Sequence, residues 1–441
     1  NRLGAEERDR ILNRAADLYE QHRDELIDLC VREGGRTIPD CVSELREAVD
    51  FMRYYGAQAK KHFGEPVVMP GPTGERNTYS MRGKGVFIAI SPWNFPLAIF
   101  TGQVTAALAA GNAVLAKPAA PTTLIAYRAI QLLHEAGVPP DVLHFVPCGG
   151  RLMGERGVAD PRIAGVVFTG STGVAQTINQ TLAHRDAPIA TLIAETGGQN
   201  AMFVDSSALP EQVVHDSIYS AFNSAGQRCS ALRLLCVQDE IEPRTLDLLK
   251  GYMEELTIGD PRHLSTDVGP CIDDASRQSL AAHVERMAKE QKVVHRCTLP
   301  DGTEKGTFFA PTLVEIDDIS ALKEEEFGPI LHVLKFKSRH LDAMVAAVNG
   351  TGFGLTMGLH SRIDSRVAGL AANCGAGNLY VNRNMIGAVV GVQPFGGCGL
   401  SGTGPKAGGP HYVQRFGTEF TLSNNISAVG GNASLLTLGS D

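Results

Sequence analysis

Three side chains in the sequence could together carry out chemistry at a carbonyl carbon. Cys229 stands among small and polar residues, where a thiol stays accessible, and the adjacent Arg228 would favour the nucleophilic thiolate. Glu195 follows an apolar run and precedes two glycines, which is a common setting for a catalytic base. The side-chain amide of Asn94 could donate to an oxyanion. Taken singly, these residues would more often be a packed thiol, a solvated carboxylate and a turn asparagine.

Two further segments could bind a dinucleotide. The segment 169–173 (Thr-Gly-Ser-Thr-Gly) follows an apolar run and opens a predicted helix, so its backbone N–H groups could bind a phosphate. It lacks the full G-x-G-x-x-G fingerprint, and by itself it is a weak signal. Lys117 ends another apolar run, where its ammonium group could hold ribose or phosphate oxygens.

Short apolar runs predict the strands that would position these side chains. Strands and helices alternate between residues 85 and 195, with Gly or Pro at the joints, which predicts a doubly wound parallel sheet. Such a sheet binds ligands at the carboxyl ends of its strands, where several of the candidate residues would meet. The predicted strands are 86–90, 113–116, 142–146, 165–168 and 189–194, and the predicted helices are 97–110, 122–136, 151–158 and 172–183.

The rest of the chain predicts two helical stretches, a hairpin and a second α/β unit. We expect helices over 5–31, with a break near Arg23, and over 39–62, followed by a protruding hairpin over 64–82. A second alternation predicts strands at 201–204, 232–238 and 330–336 and helices at 210–223, 243–256 and 340–348. The predicted domains are a dinucleotide-binding domain over 1–198 that carries the hairpin, a catalytic domain over 199–405, and an oligomerisation strand and tail over 406–441.

The composition excludes several classes of protein. With 43% hydrophobic and 20% charged residues, the 441-residue chain is typical of a soluble globular protein. Its net charge of −8 argues against binding to nucleic acid or anionic membranes, and no apolar run is long enough to span a bilayer. Nine cysteines without a C-x-x-C pair argue against a disulfide framework and a structural zinc, and favour the cytoplasm. Because the sequence starts with Asn, we expect a fragment or a processed chain.

Together, these motifs closely resemble those of the aldehyde dehydrogenase superfamily. The resemblance runs from about residue 5 to residue 421 and follows the family's order of motifs. It rests on the segments 92–96 (PWNFP), 117–118 (KP), 168–172 (FTGST), 195–198 (ETGG), 226–230 (GQRCS), 326–329 (EFGP) and 394–397 (PFGG).

The resemblance implies a role for each candidate residue. Cys229 would attack an aldehyde carbon, Asn94 and the Cys229 N–H would hold the oxyanion, and Glu195 would activate the water that hydrolyses a thioester. The implied cofactor is NAD, with one ribose held by Lys117 and the other by Glu326. The full set implied for cofactor binding is Ser91, Trp93, Lys117, Thr169, Gly170, Ser171, Glu326 and Phe327.

Within the superfamily, residues 402–412 (GTGPKAGGPHY) resemble the L-glutamate γ-semialdehyde (1-pyrroline-5-carboxylate) dehydrogenase branch. This branch implies that Ser230 and the turn Gly408-Gly409 bind the substrate's α-carboxylate, as glycine N–H groups in a turn can. It also implies that Phe95 and Phe416 flank the aliphatic chain of the substrate.

Two partners follow from the resemblance as well. Residues 430–436 resemble the dehydrogenase half of bifunctional proline-utilisation proteins, which implies coupling to a proline dehydrogenase module. By analogy with the family, the hairpin over 64–82 and the segment after 410 would form a homodimer.

Some alternatives stay open at this level. Ala120 replaces a glutamate that many members of the family use to contact the adenosine ribose, which weakens the argument for NAD over NADP. A dehydrogenase of another semialdehyde, a thioesterase-like hydrolase using Cys229 and Glu195, and a non-catalytic binding module are the other candidate functions. The hydrolase is disfavoured because no histidine is evident beside Cys229 in the sequence.

Overall fold

The computed structural model describes residues 3–426. The segment 430–436 and the end of the predicted region 406–441 therefore lie outside the described residues. Within them, the α-helices are α1 (Ala5–Gln21), α2 (Arg23–Gly34), α3 (Ile38–Phe63), α4 (Ala98–Ala109), α5 (Thr123–Glu135), α6 (Gly150–Leu152), α7 (Thr172–Ala183), α8 (Pro210–Phe222), α9 (Glu242–Glu254), α10 (Asp274–Glu290), α11 (Leu341–Asn349), α12 (Asp364–Asn373) and α13 (Tyr412–Arg415).

The strands of the same part of the chain form four sheets. They are β1 (Val67–Met69), β2 (Glu75–Gly83), β3 (Val86–Ile90), β4 (Ala113–Lys117), β5 (Leu143–Phe145), β6 (Ile163–Thr169), β7 (Thr191–Glu195), β8 (Ala201–Val204), β9 (Leu234–Gln238), β10 (Lys292–Arg296), β11 (Thr312–Glu315), β12 (Ile330–Phe336), β13 (Phe353–Gly354), β14 (Thr356–His360), β15 (Asn378–Val381), β16 (Cys398–Gly399) and β17 (Gly417–Asn425).

The first large sheet is parallel throughout, in the order β5-β4-β3-β6-β7. Its strands are short apolar runs because helices cover the sheet on its faces. The predicted doubly wound sheet is thereby confirmed, and its strands differ from prediction by only a few residues. The last one begins at Thr191 instead of Ile189, whose side chain is fully exposed. The predicted helix over 151–158 is a short α-helical turn followed by a π-helical turn, Met153–Val158.

The second large sheet has seven strands in the order β10-β11-β12-β9-β8-β14-β15. All neighbours are parallel except the edge pair β10 and β11. The sequence analysis predicted β8, β9 and β12 but missed α10, α12, β10, β11, β14 and β15. The edge strand β10 reads Lys-Val-Val-His-Arg, and polar residues at both of its ends hide the apolar pattern.

A third sheet stands beside these two, and it contains the predicted hairpin. Strands β1 and β2 pair in antiparallel fashion, and the nine-residue β17 pairs with the other edge of β2. Before β17, the chain leaves the second sheet, and α13 packs against α3 and α4. These helices share one hydrophobic core with apolar residues of the first sheet. The domain boundaries at 198 and 405 stay predictions. In residues 3–426, no helix has the length and apolarity needed to cross a membrane.

Candidate active site

One cavity brings the predicted nucleophile and the predicted base together. Cys229 and Glu195 both line it, although 33 residues separate them in sequence. The other predicted site residues in its wall are Phe95, Thr169 and Ser230. Glu195 and Thr169 are register partners at the carboxyl ends of neighbouring parallel strands, which is where a doubly wound sheet binds its ligands.

An unusual backbone turn presents Cys229 to the cavity. Ser224, Ala225 and Gly226, which follow α8, have φ angles of 54°, 53° and 66°, a left-handed conformation that non-glycine residues rarely adopt. A side chain at Gly226 would collide with the backbone carbonyl of Gly328. Strained backbone of this kind persists only where the surrounding structure holds it, and here it immediately precedes the predicted nucleophile.

Asp40 of α3 holds this turn in place. Its carboxylate accepts hydrogen bonds from the Asn223 side-chain amide (2.8 Å), the Ser224 hydroxyl (2.8 Å) and the Arg228 guanidinium (3.2 Å). Burial would raise the pKa of Asp40, but the nearby guanidinium groups outweigh it, so the pKa is lowered and the carboxylate stays ionised. Asp40 was not predicted from the sequence, because nothing local to it indicates a contact 184 residues away.

The thiol of Cys229 prefers its protonated form. Burial raises its pKa to about 12, and the carboxylates of Glu325 and Glu195 add to the rise. The adjacent Arg228 lowers the pKa, as the sequence analysis proposed, but burial and the two carboxylates outweigh it. The guanidinium group of Arg228 also donates to Asp40. The role of Cys229 as the nucleophile stays a prediction.

Glu195 ends β7 and is enclosed by the loop 396–402. Its Oε2 accepts a hydrogen bond from the Gly397 N–H at 3.0 Å, while its buried Oε1 has no hydrogen-bond partner. A Cβ added at Gly396 would lie 2.7 Å from Oε1, and one added at Gly402 would lie 2.8 Å from Oε2. Burial raises the pKa of Glu195 to about 8, although the Gly397 N–H and the charge of Lys406 oppose the rise. A carboxyl group with such a pKa can act as a base near neutral pH.

Asn94 is buried and contacts the segment that leads to Cys229. Its side-chain Nδ2 donates to the backbone carbonyl of Gln227 at 3.1 Å, two residues before Cys229. The structure therefore brings Asn94 to the nucleophile loop, and one amide hydrogen is already engaged there. Its role as an oxyanion donor stays a prediction.

The predicted residues for the pyrophosphate and the adenosine ribose surround the ends of β3, β4 and β6. Lys117 is the buried last residue of β4, and burial lowers the pKa of its ammonium group. Ser171 caps α7, its hydroxyl accepting from the Val174 N–H at 3.4 Å, and Gly170 precedes it. Gln103 joins two of the predicted residues, since it accepts from the Ser91 hydroxyl at 2.7 Å and donates to the Thr169 hydroxyl at 2.9 Å.

The predicted nicotinamide-ribose residues lie on the loop before β12. The Phe327 ring meets the Trp93 ring edge-on, with centroids 5.6 Å apart. Glu326 is buried, and its Oε1 lies 2.6 Å from Nδ1 of His283 on α10. The adjacent Glu325 lies 3.6 Å from Arg233, which in turn donates to the carbonyls of Gly226, Arg228 and Gly328. The loop of Glu326 and the loop of Cys229 are thus held together by one buried guanidinium group.

The predicted substrate residues divide into two groups. Phe95 and Ser230 line the cavity, and the Phe95 ring lies between the guanidinium groups of Arg36 and Arg228, at 4.3 Å and 5.1 Å from its centroid. Phe416 does not line the cavity. Its ring is fully buried and packs against the Phe87 ring of β3, with centroids 5.0 Å apart. Tyr412 of α13 lines the cavity instead.

The N–H groups of the turn Gly408-Gly409 donate to acceptors that the sequence analysis did not predict. The Gly408 N–H donates to the Tyr55 hydroxyl at 2.9 Å, and the Gly409 N–H donates to the Lys406 carbonyl at 3.2 Å. Neither glycine lines the cavity, whereas the preceding Ala407 does. Both N–H groups have internal acceptors in this structure. Their role in binding a carboxylate stays a prediction.

Several site residues were missed from the sequence. Gln103 had a signal, since it is a polar residue within the apolar pattern of α4. Tyr55, Glu47 and Arg233 carried none, because each sits in a segment whose pattern only predicts a helix or the start of a strand. Glu47 lines the cavity, and burial raises its pKa to about 7.

The comparisons with known proteins agree with this geometry. The family described as "Aldehyde dehydrogenase family" matches residues 1–420. The chain is 50% identical over 418 residues to the Bifunctional protein PutA of Escherichia coli (strain K12), which covers 93% of this chain and 31% of that protein. It is 37% identical over 408 residues to a 1-pyrroline-5-carboxylate dehydrogenase of Bacillus cytotoxicus, covering 91% of this chain and 78% of that protein.

A solved structure is similar over nearly the whole chain. The crystal structure of 1-pyrroline-5-carboxylate dehydrogenase from Thermus with bound NAD superimposes with a TM-score of 0.91 at 33% identity. The match covers 96% of this chain and 82% of that one. By contrast, the chain spans only 31% of the length of the PutA relative.

Proposed function

The chain belongs to the aldehyde dehydrogenase family, and from this premise we propose that it oxidises L-glutamate γ-semialdehyde, formed from 1-pyrroline-5-carboxylate, to L-glutamate with NAD. The observation that carries the proposal is the single cavity lined by the Cys229 thiol and the Glu195 carboxyl group. The relatives named 1-pyrroline-5-carboxylate dehydrogenase and PutA support the choice of substrate and a role in proline catabolism.

Cys229 is the proposed nucleophile. Its sulfur forms a bond to the aldehyde carbon and loses its proton, giving a thiohemiacetal whose oxygen carries the developing negative charge. The Cys229 backbone N–H and the Asn94 amide are the donors proposed for that oxygen. Because the Cys229 carbonyl accepts from Asn200 Nδ2 at 2.6 Å, the peptide that bears the nucleophile is held on its other side.

The proposed cofactor fits the residues present. Cationic Lys117, the N-terminus of α7 and the carboxylate of Glu326 are the groups that suit a ribose, a pyrophosphate and a second ribose. When bound, NAD supplies the acceptor for the hydride lost from the substrate's carbonyl carbon. Trp93 and Phe327 would cover its nicotinamide end, and the Thermus relative with bound NAD supports this choice over NADP.

Glu195 is the proposed base for the second half of the reaction. After oxidation the substrate is a thioester on Cys229, and water must attack its carbonyl carbon while a proton leaves that water. Oε1 of Glu195 has no hydrogen-bond partner and can accept the proton. The C–S bond then breaks, the sulfur regains a proton, and glutamate is released.

Substrate recognition needs an anion site and an apolar wall. Phe95 supplies the wall for the short aliphatic chain, and Ser230 is the predicted carboxylate ligand that the cavity retains. The carboxylate role of Gly408 and Gly409 stays part of the proposal, and in this structure Tyr55 and Lys406 accept from their N–H groups.

Steady-state kinetics test the proposal. NADH absorbance is followed with 1-pyrroline-5-carboxylate, with succinate semialdehyde, and with NADP in place of NAD. We expect the highest kcat/KM for 1-pyrroline-5-carboxylate with NAD. Preference for succinate semialdehyde would refute the substrate, and thioester hydrolysis without any NADH formation would favour the hydrolase instead.

Three further proposals concern the setting of the enzyme. The PutA relatives support coupling to a proline dehydrogenase module. The exposed three-stranded sheet supports a homodimer. The nine cysteines all lie in the described residues as free thiols, which supports a reducing cytoplasm.

A further inference from the structure

A line of buried hydrogen bonds begins at Glu326 and ends at the backbone of Arg233. Oε1 of Glu326 lies 2.6 Å from Nδ1 of His283, and Nε2 of His283 lies 2.9 Å from Nε2 of His332. On the far side of its ring, Nδ1 of His332 lies 3.0 Å from the carbonyl oxygen of Arg233. All three side chains are less than a tenth exposed.

The partners of this line fix where its protons are. A carbonyl oxygen only accepts, so Nδ1 of His332 carries a hydrogen. Burial and the neighbouring His283 lower the pKa of His332 to about 3, so His332 is neutral and its Nε2 is an acceptor. Nε2 of His283 must then be a donor. The remaining contact, between Nδ1 of His283 and Glu326, also needs a proton.

Two arginines lie close to this line. From α10 itself, Arg286 donates to Nδ1 of His283 at 3.3 Å, while it also bonds to Glu290 and to the Ala321 carbonyl. From the other side, the cation of Arg233 is held by three backbone carbonyls. The ring of His283 is therefore held by contacts at both of its nitrogens.

We infer that His283 is a positioning residue for cofactor binding, whose Nδ1 holds Oε1 of Glu326 and leaves Oε2 for the hydroxyl groups of a ribose. The inference rests on the proposed role of Glu326 toward NAD. His283 does not touch the reacting atoms, and it acts by fixing the rotamer of the carboxylate. His332 and the Arg233 carbonyl fix the ring of His283 in turn.

The inference distinguishes the two ring nitrogens of His283, and two similar variants can test this. Asparagine places an amide near the position of Nδ1, and glutamine places one near Nε2. His283→Asn keeps a donor toward Glu326, so we expect a KM for NAD within threefold of the wild type. His283→Gln keeps only the contact to His332, and His283→Leu keeps neither, so both should raise the KM for NAD at least tenfold with kcat changed less than threefold.

Affinity for NAD is measured independently of turnover through the fluorescence of Trp93, the single tryptophan of the chain. The dissociation constants should follow the same order, with rescue in His283→Asn. Equal NAD affinity in the asparagine and glutamine variants, or wild-type affinity in all three, would overturn the inference. Thermal unfolding of each variant shows whether it folds.

A measurement on the wild-type protein applies even if every variant is unstable. With ¹⁵N-labelled histidine, we expect the ring signals of one histidine, absent from the spectrum of His283→Asn, to move when NAD is added. A spectrum in which no histidine signal moves with NAD contradicts the inference. Absence of NAD-dependent oxidation by the wild type would instead count against the proposed function, since the NMR signals and NAD binding do not require turnover.

Discussion

At the scale of single residues, the site keeps its two central groups protonated until substrate arrives. Burial raises the pKa of Cys229 to about 12 and that of Glu195 to about 8, and each negative charge would oppose the other. A thiol in this state resists oxidation and reaction with stray electrophiles, because the thiolate is the reactive form. In the proposed mechanism, charge develops during the reaction, when donors such as the Cys229 N–H would stabilise it.

Cys229→Ala should abolish turnover while leaving NAD affinity nearly unchanged. In the proposed mechanism the sulfur forms the covalent bond to substrate, whereas the proposed cofactor residues lie on other strands and loops. NADH absorbance measures turnover, and Trp93 fluorescence measures NAD binding. Cys297→Ser is the matched control, because that half-buried thiol lies outside both the cavity and the loop 396–402 and should leave kcat unchanged. Residual turnover above a thousandth of the wild-type rate in Cys229→Ala would exclude Cys229 as the nucleophile.

The rate of thioester hydrolysis should rise with pH up to about 8. Glu195 accepts a proton only when ionised, and its pKa is about 8, so kcat should fall about tenfold per pH unit well below that value. Glu195→Gln should lower kcat at least about 100-fold and remove this dependence. The measurement is kcat from NADH absorbance between pH 6 and 9. An unchanged slope in the glutamine variant would assign the titration to another group.

The same group should make stability depend on pH. The pKa of Glu195 is about 8 when folded against 4.5 for its ordinary value, so the folded state binds more protons between these two values. This contribution to stability is fully present below pH 4.5 and is lost as the pH rises through 8, at about 1.4 kcal/mol per unit. Urea unfolding should show Glu195→Gln gaining stability over the wild type between pH 5 and pH 9. A pH-independent difference between them would contradict the raised pKa.

At the scale of elements, the loop 396–402 and the end of β7 form one unit around Glu195. Antiparallel bridge pairing joins Glu195 to Gly402, and the Gly397 N–H binds the carboxylate. Glycine is needed at positions 396 and 402, because a side chain at either position would collide with the Glu195 carboxylate. The sequence analysis predicted the strand β7. It did not predict that the loop contacts Glu195, because the loop has no periodic pattern of apolar residues.

Gly402→Ala should displace the Glu195 carboxylate and lower kcat at least tenfold. The added methyl would lie 2.8 Å from Oε2 and 3.1 Å from the Ala194 carbonyl, so the side chain must move away from the Gly397 N–H. Gly369→Ala in α12 is the matched control, because nothing lies within 4 Å of its added Cβ. The measurement is kcat of both variants, from NADH absorbance, as a function of pH. Wild-type kcat in Gly402→Ala would show that the carboxylate tolerates displacement.

At the scale of the whole molecule, the sheet of β1, β2 and β17 exposes apolar side chains to solvent. Val68, Thr78 and Leu422 form one row across β1, β2 and β17, and Phe420 lies on the same face as Leu422. Val68 is 63% exposed and Leu422 is 52% exposed. Aligned apolar side chains of this kind on a surface often mark contacts between proteins. This sheet is the surface we propose for the homodimer.

Introducing charge on this face should dissociate the proposed dimer. The double variant Val68→Asp and Leu422→Asp places two carboxylates in the apolar row, and their desolvation would oppose association. Light scattering after size exclusion should give the mass of one chain for the variant and of two for the wild type. Leu264→Asp is the control, since it changes a 75% exposed leucine elsewhere. A monomeric wild type, or a variant that stays dimeric, would contradict the proposed interface.

The sequence by itself determined the residues with chemical potential and most of the elements that carry them. Apolar runs predicted the strands β3, β4, β6 and β8 closely, because burial on both faces of a sheet leaves a local pattern. Motif order indicated the family that the comparisons confirmed. Sequence also named the pair Cys229 and Glu195, which meet in one cavity.

Only the tertiary structure decided what surrounds these residues. Phe416 turned inward to the core, and the N–H groups of Gly408 and Gly409 found acceptors within the protein. The pKa of Cys229 rises despite Arg228, because burial and the carboxylates of Glu325 and Glu195 outweigh that cation. Burial and partner choice depend on contacts between segments far apart in the chain, and such contacts leave no periodic signal in the sequence around each residue.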